Sequence, residues 1–93
     1  MRNYELIVIL SSKIEEDKQK KLLAIITEFT EANKGKVEKV NQWGKKELTY
    51  DIKKQREGIY VQFEIAIPED KIPELAKKIK AEDNILRHLF IRI

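Results

Sequence analysis

Residues 43–60 read Trp-Gly-Lys-Lys-Glu-Leu-Thr-Tyr-Asp-Ile-Lys-Lys-Gln-Arg-Glu-Gly-Ile-Tyr, and this stretch decides the fold. From Glu47 to Ile52 apolar and polar residues alternate, which is typical of a strand with one buried face. Residues 53–57 then predict a polar bend that Gly58 closes, before a second alternating run begins. The stretch is therefore predicted to be a β-hairpin with a basic tip and aromatic flanks.

The flanking sequence predicts two further strands and two helices. The four strands are expected at residues 2–10, 36–53, 58–67 and 85–93. Ser12 and Glu15 form a capping-box pattern that opens the first helix, and Gly35 is suited to the left-handed conformation that ends it. Pro73 fits the first turn of the second helix. Gly44 is expected to form a β-bulge in the long second strand.

The resulting order of elements is β-α-β-β-α-β. Right-handed crossovers place both helices on the same face of the sheet. We therefore predict an α+β, ferredoxin-like sandwich, in which a four-stranded antiparallel sheet of order 4-1-3-2 carries two helices on one face. With 93 residues, the chain is expected to be a single domain, residues 1–93.

Composition excludes several classes of protein. The sequence has no cysteine and one histidine, so we expect neither a disulfide framework nor a metal site. The three glycines are far apart and form no phosphate-binding loop, and no catalytic set is present. We expect no enzyme, no cofactor and no small-molecule substrate. The sequence predicts no signal peptide or membrane span, which favours a cytoplasmic protein.

The face of the sheet without helices is predicted to contact a partner protein. If Leu6, Val8, Leu10, Leu48, Tyr50, Val61, Phe63 and Ile65 face the helices, Tyr60 of strand three faces outwards. Periodicity alone leaves open which set of strand-four residues faces inwards. With the odd-numbered set outside, an aliphatic patch lies beside an unpaired sheet edge, where a partner can dock. Together with Tyr60, the predicted partner-protein face consists of Ile7, Ile9, Leu89 and Ile91.

Basic side chains on the strands and their bends suggest a polyanionic partner. They have fewer acidic neighbours than the helix lysines have, and they are Arg2, Lys45, Lys46, Lys53, Lys54, Arg56, Arg87 and Arg92. Such a cluster fits salt-dependent contact with RNA phosphates. The alternative is that these residues solubilise the protein and protect its sheet edges. A net charge of +3 is compatible with both interpretations.

The same strand order occurs in RNA-recognition-motif domains. Tyr60-Val61-Gln62-Phe63 matches the second half of their strand-three signature, with Tyr60 as the exposed stacking ring. Gly58 stands where a second ring is needed, so this match has low specificity. Two alternative functions remain. One is a free-standing single-strand RNA binder, and the other is a purely protein-binding or self-associating module.

Several motifs in this sequence resemble the bacterial small-ribosomal-subunit protein six family over all 93 residues. They are Met-Arg-x-Tyr-Glu at residues 1–5, Gly-Lys-Val at 35–37, Trp-Gly-Lys-Lys-x-Leu-x-Tyr-x-Ile-x-Lys at 43–54, Gly-x-Tyr at 58–60, Pro-Glu-Asp at 68–70, and Asp-Asn-Ile-x-Arg at 83–87 followed by Arg92. The combination of the Trp-Gly-basic-basic run with the Arg-x-Tyr-Glu start is the specific part of the resemblance.

The resemblance implies a structural component of the cytoplasmic small ribosomal subunit that is no enzyme and needs no cofactor. It implies binding to small-subunit (16S) ribosomal RNA together with small-subunit protein eighteen, as a heterodimer. By position, the resemblance implies that the candidates for RNA or partner contact are Arg2, Tyr4, Lys45, Lys46, Lys54, Arg87 and Arg92. Lys46 stands where the family often has arginine, which weakens a bidentate phosphate contact.

Overall fold

The computed structural model describes residues 2–52 and 55–93 as an α+β sandwich. Its elements are β1 (Arg2–Ser11), α1 (Glu16–Ala32), β2 (Lys36–Ile52), β3 (Gln55–Ile67), a 3₁₀ turn (Glu69–Lys71), α2 (Ile72–Lys80) and β4 (Ile85–Arg92). The strands form one antiparallel sheet of order β2-β3-β1-β4, which is the predicted order 4-1-3-2 in reverse. The ferredoxin-like fold predicted from the sequence is therefore confirmed.

The hairpin between β2 and β3 is longer than predicted. Gln55 pairs with Ile52, so β3 begins three residues before the expected start at Gly58. The polar bend predicted for residues 55–57 is therefore wrong. Backbone pairing satisfies the peptide groups of a two-stranded ribbon whatever the polarity of its side chains, and so polar residues continue the strand. Lys53 and Lys54, the rest of that predicted bend, lie outside the described residues.

The core lies between the sheet and the two helices. Alternate side chains of β1 and β3 face the helices, and six of them have no exposed area: Leu6, Val8, Leu10, Val61, Phe63 and Ile67. They pack in one cluster with buried residues of both helices, Leu22 and Ile26 of α1 and Leu75 and Ile79 of α2. Full burial of such a side chain contributes about 1.5–3 kcal/mol, so this cluster supplies most of the stabilisation of the fold.

The ends of the helices differ from two of the predictions. Glu15 is the N-cap of α1 and makes no side-chain capping hydrogen bond, so the predicted capping box is wrong. Instead the backbone N–H of Lys13 donates to Ser11 Oγ at 3.3 Å. After α1, the left-handed residue is Lys34, with φ of 65°, and not Gly35 as predicted. Pro73 lies in the first turn of α2, as predicted.

Position 35 requires glycine because the structure leaves no room for a side chain there. A Cβ atom at this position would lie 2.5 Å from the carbonyl oxygen of Ala66 and 2.8 Å from that of Thr30. The backbone of β2 therefore starts in close contact with both α1 and β3, and no larger residue fits without a shift of backbone.

The pairing of β4 decides which of its side chains face outwards. Phe90 lies opposite Leu6, and Leu89 lies opposite Ile7. Directly opposite residues of an antiparallel pair share a face, so Phe90 faces the helices and Leu89 faces away from them. The odd-numbered residues 87, 89 and 91 are therefore outside, which settles the alternative that periodicity left open.

Candidate partner and RNA interface

The open face, the face of the sheet that carries no helix, is organised in rows of side chains across the strands. In the order β4, β1, β3, β2, the aromatic row is Arg87-Ile9-Tyr60-Gly44, the middle row is Leu89-Ile7-Gln62-Asn41, and the acidic row is Ile91-Glu5-Glu64-Lys39. Neighbours within a row are about 4.8 Å apart, and successive rows are about 7 Å apart. The character of the side chains on the open face therefore changes along the strands, from the aromatic row at one end to the acidic row at the other.

A bulge in β2 determines which side chains of this strand reach the open face. Gln42 lies opposite Val61 on the helix side, whereas Gly44 lies opposite Tyr60 on the open side. The predicted bulge at Gly44 is thus confirmed, and Gly44 has φ of 85°. An extra residue reverses the alternation of a strand, so Lys46, which pairs with Gly58, also lies on the open face.

The prediction that Leu48 faces the helices is wrong. A Cβ atom on Gly58 would meet Cγ2 of Ile9 on the open face and would lie 3.5 Å from Cδ2 of Leu48. Leu48 is therefore on the open side, beside Gly58 and Ile9. The prediction included the bulge at Gly44 but not the second register shift of β2, which lies between Val37 and Lys39.

Two aromatic rings and a lysine meet beside the bulge. The rings of Trp43 and Tyr60 are nearly parallel, with centroids 6.3 Å apart and an interplanar angle of 16°. Lys46 Nζ lies 5.5 Å from the centroid of Trp43. These distances are those of an offset aromatic pair and of a cation–π contact. Trp43, whose exposed fraction is 44%, was not among the predicted site residues, and the signal for it was its position beside the expected bulge.

The aliphatic patch, defined as Ile7, Ile9, Leu89 and Ile91, lies on the neighbouring strands β1 and β4. Leu89 is 55% exposed and Ile91 42% exposed, while Ile7 and Ile9 are half-buried. A shallow pocket runs along this surface and is lined by Ile7, Ile9, Tyr60, Arg87, His88 and Leu89. The structure thus brings together the residues predicted as a partner face, next to the edge strand β4.

The predicted RNA-contacting residues fall into two separate groups. Lys46 and Arg87 are exposed on the open face, and Lys45 and Arg56 are exposed in the same end of the sheet. Arg2 and Arg92 lie at the opposite end, where Arg2 Nε is 3.6 Å and Arg92 Nη1 4.0 Å from the carboxylate of Glu69. Because β1 is ten residues long, its two ends are about 30 Å apart. The structure therefore does not bring the whole predicted set together.

Tyr4 has a different environment from the other predicted contacts. Its side chain is only 6% exposed and belongs to the core cluster on the helix side. An RNA contact needs an accessible ring or hydroxyl group, so we leave Tyr4 out of the candidate surface. The sequence pattern at the start of β1 did not distinguish a core tyrosine from a surface one.

The open face is electrostatically uneven. Glu5 and Glu64 lie opposite each other in the acidic row, and this row is four residues, about 13 Å, from the aromatic row. Lys46 and Arg87 lie near the two ends of the aromatic row. A polyanion is therefore attracted to the end of the face that carries the bulge and repelled at the end that carries the two glutamates.

His88 lies opposite core residue Val8, so its side chain faces the helix side and adds no charge to the open face. Its ring contacts Phe90 edge-on, with centroids 5.7 Å apart. Burial, and then the positive charge of Lys80, lower the pKa of the His88 imidazole. The cationic character of the face therefore comes from lysine and arginine side chains.

Residues 2–52 and 55–93 contain no group of three or more His, Cys, Asp or Glu side chains that could hold a metal ion. No helix in this part of the chain is long and apolar enough to cross a membrane.

Comparison with known proteins gives a consistent result. Residues 3–92 match the sequence pattern of the family described as Ribosomal protein S6. The chain is 38% identical over 93 residues to small ribosomal subunit protein bS6 of Alkaliphilus oremlandii, covering 100% of this chain and 98% of that protein. Over the same shares of both chains, it is 39% identical to the protein of the same name from Alkaliphilus metalliredigens.

The solved structures agree with the sequence comparison. The crystal structure of 30S ribosomal protein S6 from Thermotoga maritima superimposes with a TM-score of 0.92 at 27% identity, covering 99% of this chain and 87% of that one. The C-terminal domain of the MgtC protein from Mycobacterium tuberculosis, with a TM-score of 0.71 at 11% identity, shares the fold alone. The family match extends over nearly the whole chain, and the chain therefore belongs to the ribosomal protein S6 family.

Proposed function

We propose that this protein binds small-subunit (16S) ribosomal RNA jointly with small-subunit protein eighteen, as a structural component of the small ribosomal subunit. The observation that carries the proposal is the unevenness of the open face, where an exposed aliphatic patch adjoins a cationic end. Each feature suits a different partner, and both can be engaged at once.

The aliphatic patch is the proposed docking surface for protein eighteen. Leu89 and Ile91 are the exposed members of the patch, and Ile7 and Ile9 form its floor. Covering a fully exposed aliphatic side chain contributes about 1.5–3 kcal/mol, and a partner that covers the patch gains the part of this that corresponds to the area still exposed, mainly on Leu89 and Ile91. β4 is an edge strand, which leaves room for a partner to extend beyond the sheet.

The cationic end of the sheet is the proposed RNA surface. Lys45, Lys46, Arg56 and Arg87 are exposed there, and Lys53 and Lys54 of the predicted set fall in the same stretch of the sequence. Arg2 and Arg92 are separate candidates at the opposite end of the sheet, where both lie within 4.0 Å of the Glu69 carboxylate. For each phosphate contact, a plot of the logarithm of the binding constant against the logarithm of the salt concentration becomes steeper by roughly 0.7–0.9.

Joint binding explains why one small domain carries both surfaces. An RNA contact made by a few lysines and arginines is modest by itself, since most of its free energy comes from released counterions. When protein eighteen is already docked, its own RNA contacts raise the effective concentration of this protein at the RNA. We therefore expect weak binding alone and tight binding as a heterodimer.

The test measures binding to 16S ribosomal RNA with and without protein eighteen, between roughly 50 and 200 mM salt. We expect tighter binding with protein eighteen and an affinity that falls as salt rises. Leu89→Asp should abolish the gain from protein eighteen, whereas Lys46→Gln should reduce the salt dependence and leave heterodimer formation intact. Lys18→Gln, which removes the same charge from an exposed position of α1, is the control. A salt-independent affinity would contradict the proposed phosphate contacts.

A further inference from the structure

The aromatic pair Trp43–Tyr60 is too exposed to be explained by packing. Trp43 is exposed to 44%, and it is absent from the core cluster. The ring planes of the pair differ by 16°, so the two rings are stacked, and the pair lies on the open side of the sheet with Tyr60. The sequence alone offered a single platform ring, Tyr60, because Gly58 occupies the usual place of the second. The bulge at Gly44 supplies a second ring from β2 instead.

The charges around the pair favour an anionic ligand with an aromatic part. Lys46 Nζ lies over the Trp43 ring, and Arg87 stands two strands from Tyr60 in the same row. Glu47 and Glu57 pair with each other one residue beyond Lys46 and Gly58, and alternation turns their side chains to the other face. Among the side chains that the structure describes, the carboxylates on the open face are Glu5 and Glu64, which are about 13 Å away along the strands. A negatively charged ligand group is therefore favoured beside the two rings and disfavoured at the end of the open face that carries Glu5 and Glu64.

We infer that Trp43 and Tyr60 form a stacking platform for an unpaired RNA base, with Lys46 contacting the phosphate of the same nucleotide. The inference rests on the proposed RNA-binding function and deepens it, because it states where a base, as opposed to the sugar–phosphate backbone, is held. Stacking on aromatic side chains accepts every base, so the platform adds affinity for single-stranded RNA without reading its sequence.

Lys46 covers the indole ring in the unbound protein. An exposed cation–π contact is worth only about 0.5–1 kcal/mol, so the flexible lysine leaves the ring at small cost. A base that stacks on the indole ring replaces this contact, and the displaced ammonium group is then within a side-chain length of the nucleotide's phosphate. After this exchange the indole ring is in contact with the base, and the ammonium group is in contact with the phosphate.

A base fits this platform better than a protein side chain does. The aliphatic patch on β1 and β4 offers a partner protein an apolar surface with a shallow pocket that extends to Tyr60, whereas Trp43 lies on β2 with Lys46 over its ring. A protein segment placed on the rings would have to bring its own negative charge to that end of the face. RNA carries both a π-face and a phosphate in every nucleotide.

The test uses the full-length protein and two probes of equal length, an eight-nucleotide oligouridylate and the corresponding abasic ribose-phosphate chain, at about 50 mM salt. Trp43 is the single tryptophan, so its fluorescence reports on this site alone. We expect oligouridylate to quench this fluorescence and to bind roughly 5- to 150-fold more tightly than the abasic chain. The abasic chain should leave the emission almost unchanged.

Variants are compared by the anisotropy of a labelled oligouridylate, since Trp43→Ala removes the fluorophore. Trp43→Ala and Tyr60→Ala should each bring the affinity for oligouridylate close to that for the abasic chain. Tyr60→Phe, which keeps the ring, should bind as the wild type does. Val40→Ala is the matched control, because Val40 is a similarly exposed apolar residue of β2 that lies opposite core residue Phe63 on the other face.

Each outcome decides between the alternatives. Equal, salt-dependent binding of both probes, with no effect of Trp43→Ala, would overturn the stacking platform and leave the proposed phosphate contacts standing. Loss of heterodimer formation with protein eighteen in Trp43→Ala, without a change in oligouridylate binding, would overturn it in favour of a protein contact. Failure to bind 16S ribosomal RNA even with protein eighteen would overturn the proposed function and this inference together.

Discussion

Tyr60 of β3 lies directly opposite Gly44 of β2, and the aromatic ring that it contacts belongs to the preceding residue of β2, Trp43. Gly44 has φ of 85°, and no atom lies within 4 Å of the place where its Cβ would be. The glycine is thus required by the backbone conformation and not by lack of space. The conformation of one residue therefore positions the exposed aromatic pair.

Gly44→Ala should destabilise the protein by about 1–2 kcal/mol, because an L-residue is strained at positive φ. A shift of the bulge that relieves this strain would move Trp43 away from Tyr60. The emission spectrum of Trp43 should therefore change as well. Urea unfolding and tryptophan fluorescence measure the two effects. Lys45→Ala, at the next position of the same strand, is the control and should stay within about 0.5 kcal/mol of the wild type. A Gly44→Ala variant as stable as this control would contradict the argument.

Gly58→Ala should cost about 1–3 kcal/mol, since the new methyl group would collide with Cγ2 of Ile9 on the neighbouring strand. Ile9→Ala removes the colliding atom, so the double variant should be more stable than the sum of the two single changes predicts. Urea denaturation of the four proteins gives the coupling free energy, expected at about 0.5–3 kcal/mol. Strict additivity would show that the two residues do not compete for the same space.

Lys34→Gly should stabilise the protein by up to about 1 kcal/mol. Lys34 has φ of 65° after α1, where glycine removes the strain but adds some entropy to the unfolded chain. The comparison is Lys36→Gly, at the start of β2, which should destabilise by about 0.5–1 kcal/mol because glycine weakens a strand. If both glycine variants lost stability equally in urea, the strain at Lys34 would be refuted.

Stability should decrease as the pH falls below about 6.5, the ordinary pKa of histidine. Burial and Lys80 lower the pKa of His88 in the folded protein, so the unfolded chain takes up this proton first and is favoured by acid. The contribution is fully present above pH 6.5 and is lost as the pH falls towards the pKa of the folded state. Urea unfolding at pH 7.5 and 5.5 measures the difference.

His88→Gln provides the control for this pH dependence. The variant loses the edge-on contact with Phe90 at every pH, which lowers its stability by a constant amount. It should also lose the decrease in stability between pH 7.5 and 5.5 that His88 causes. A variant that keeps the full pH dependence of the wild type would assign the effect to the carboxylates instead.

The sequence pattern predicted most of the fold but only part of the candidate site. The alternation of β1 and β3 and the spacing of apolar residues in the helices are local signals, and they led to the correct strand order and to the aliphatic patch. The role of the predicted basic residues remains a prediction, although the structure separates Arg2 and Arg92 from Lys46. Trp43 was missed because its contact with Tyr60 joins two strands.

The sequence by itself determined the elements, their order and the side of the sheet that the helices cover, because hydrophobic periodicity and the handedness of crossovers are properties of local chain geometry. Only the tertiary structure decided which set of β4 side chains faces outwards, that Tyr4 is buried, and that Leu48 lies on the open face. The orientation of β4 and the burial of Tyr4 depend on pairing with a neighbouring strand and on packing against the helices. For Leu48, the face depends on two register shifts in β2, between Val37 and Lys39 and between Gln42 and Gly44, and no count of apolar residues within a single strand contains that information.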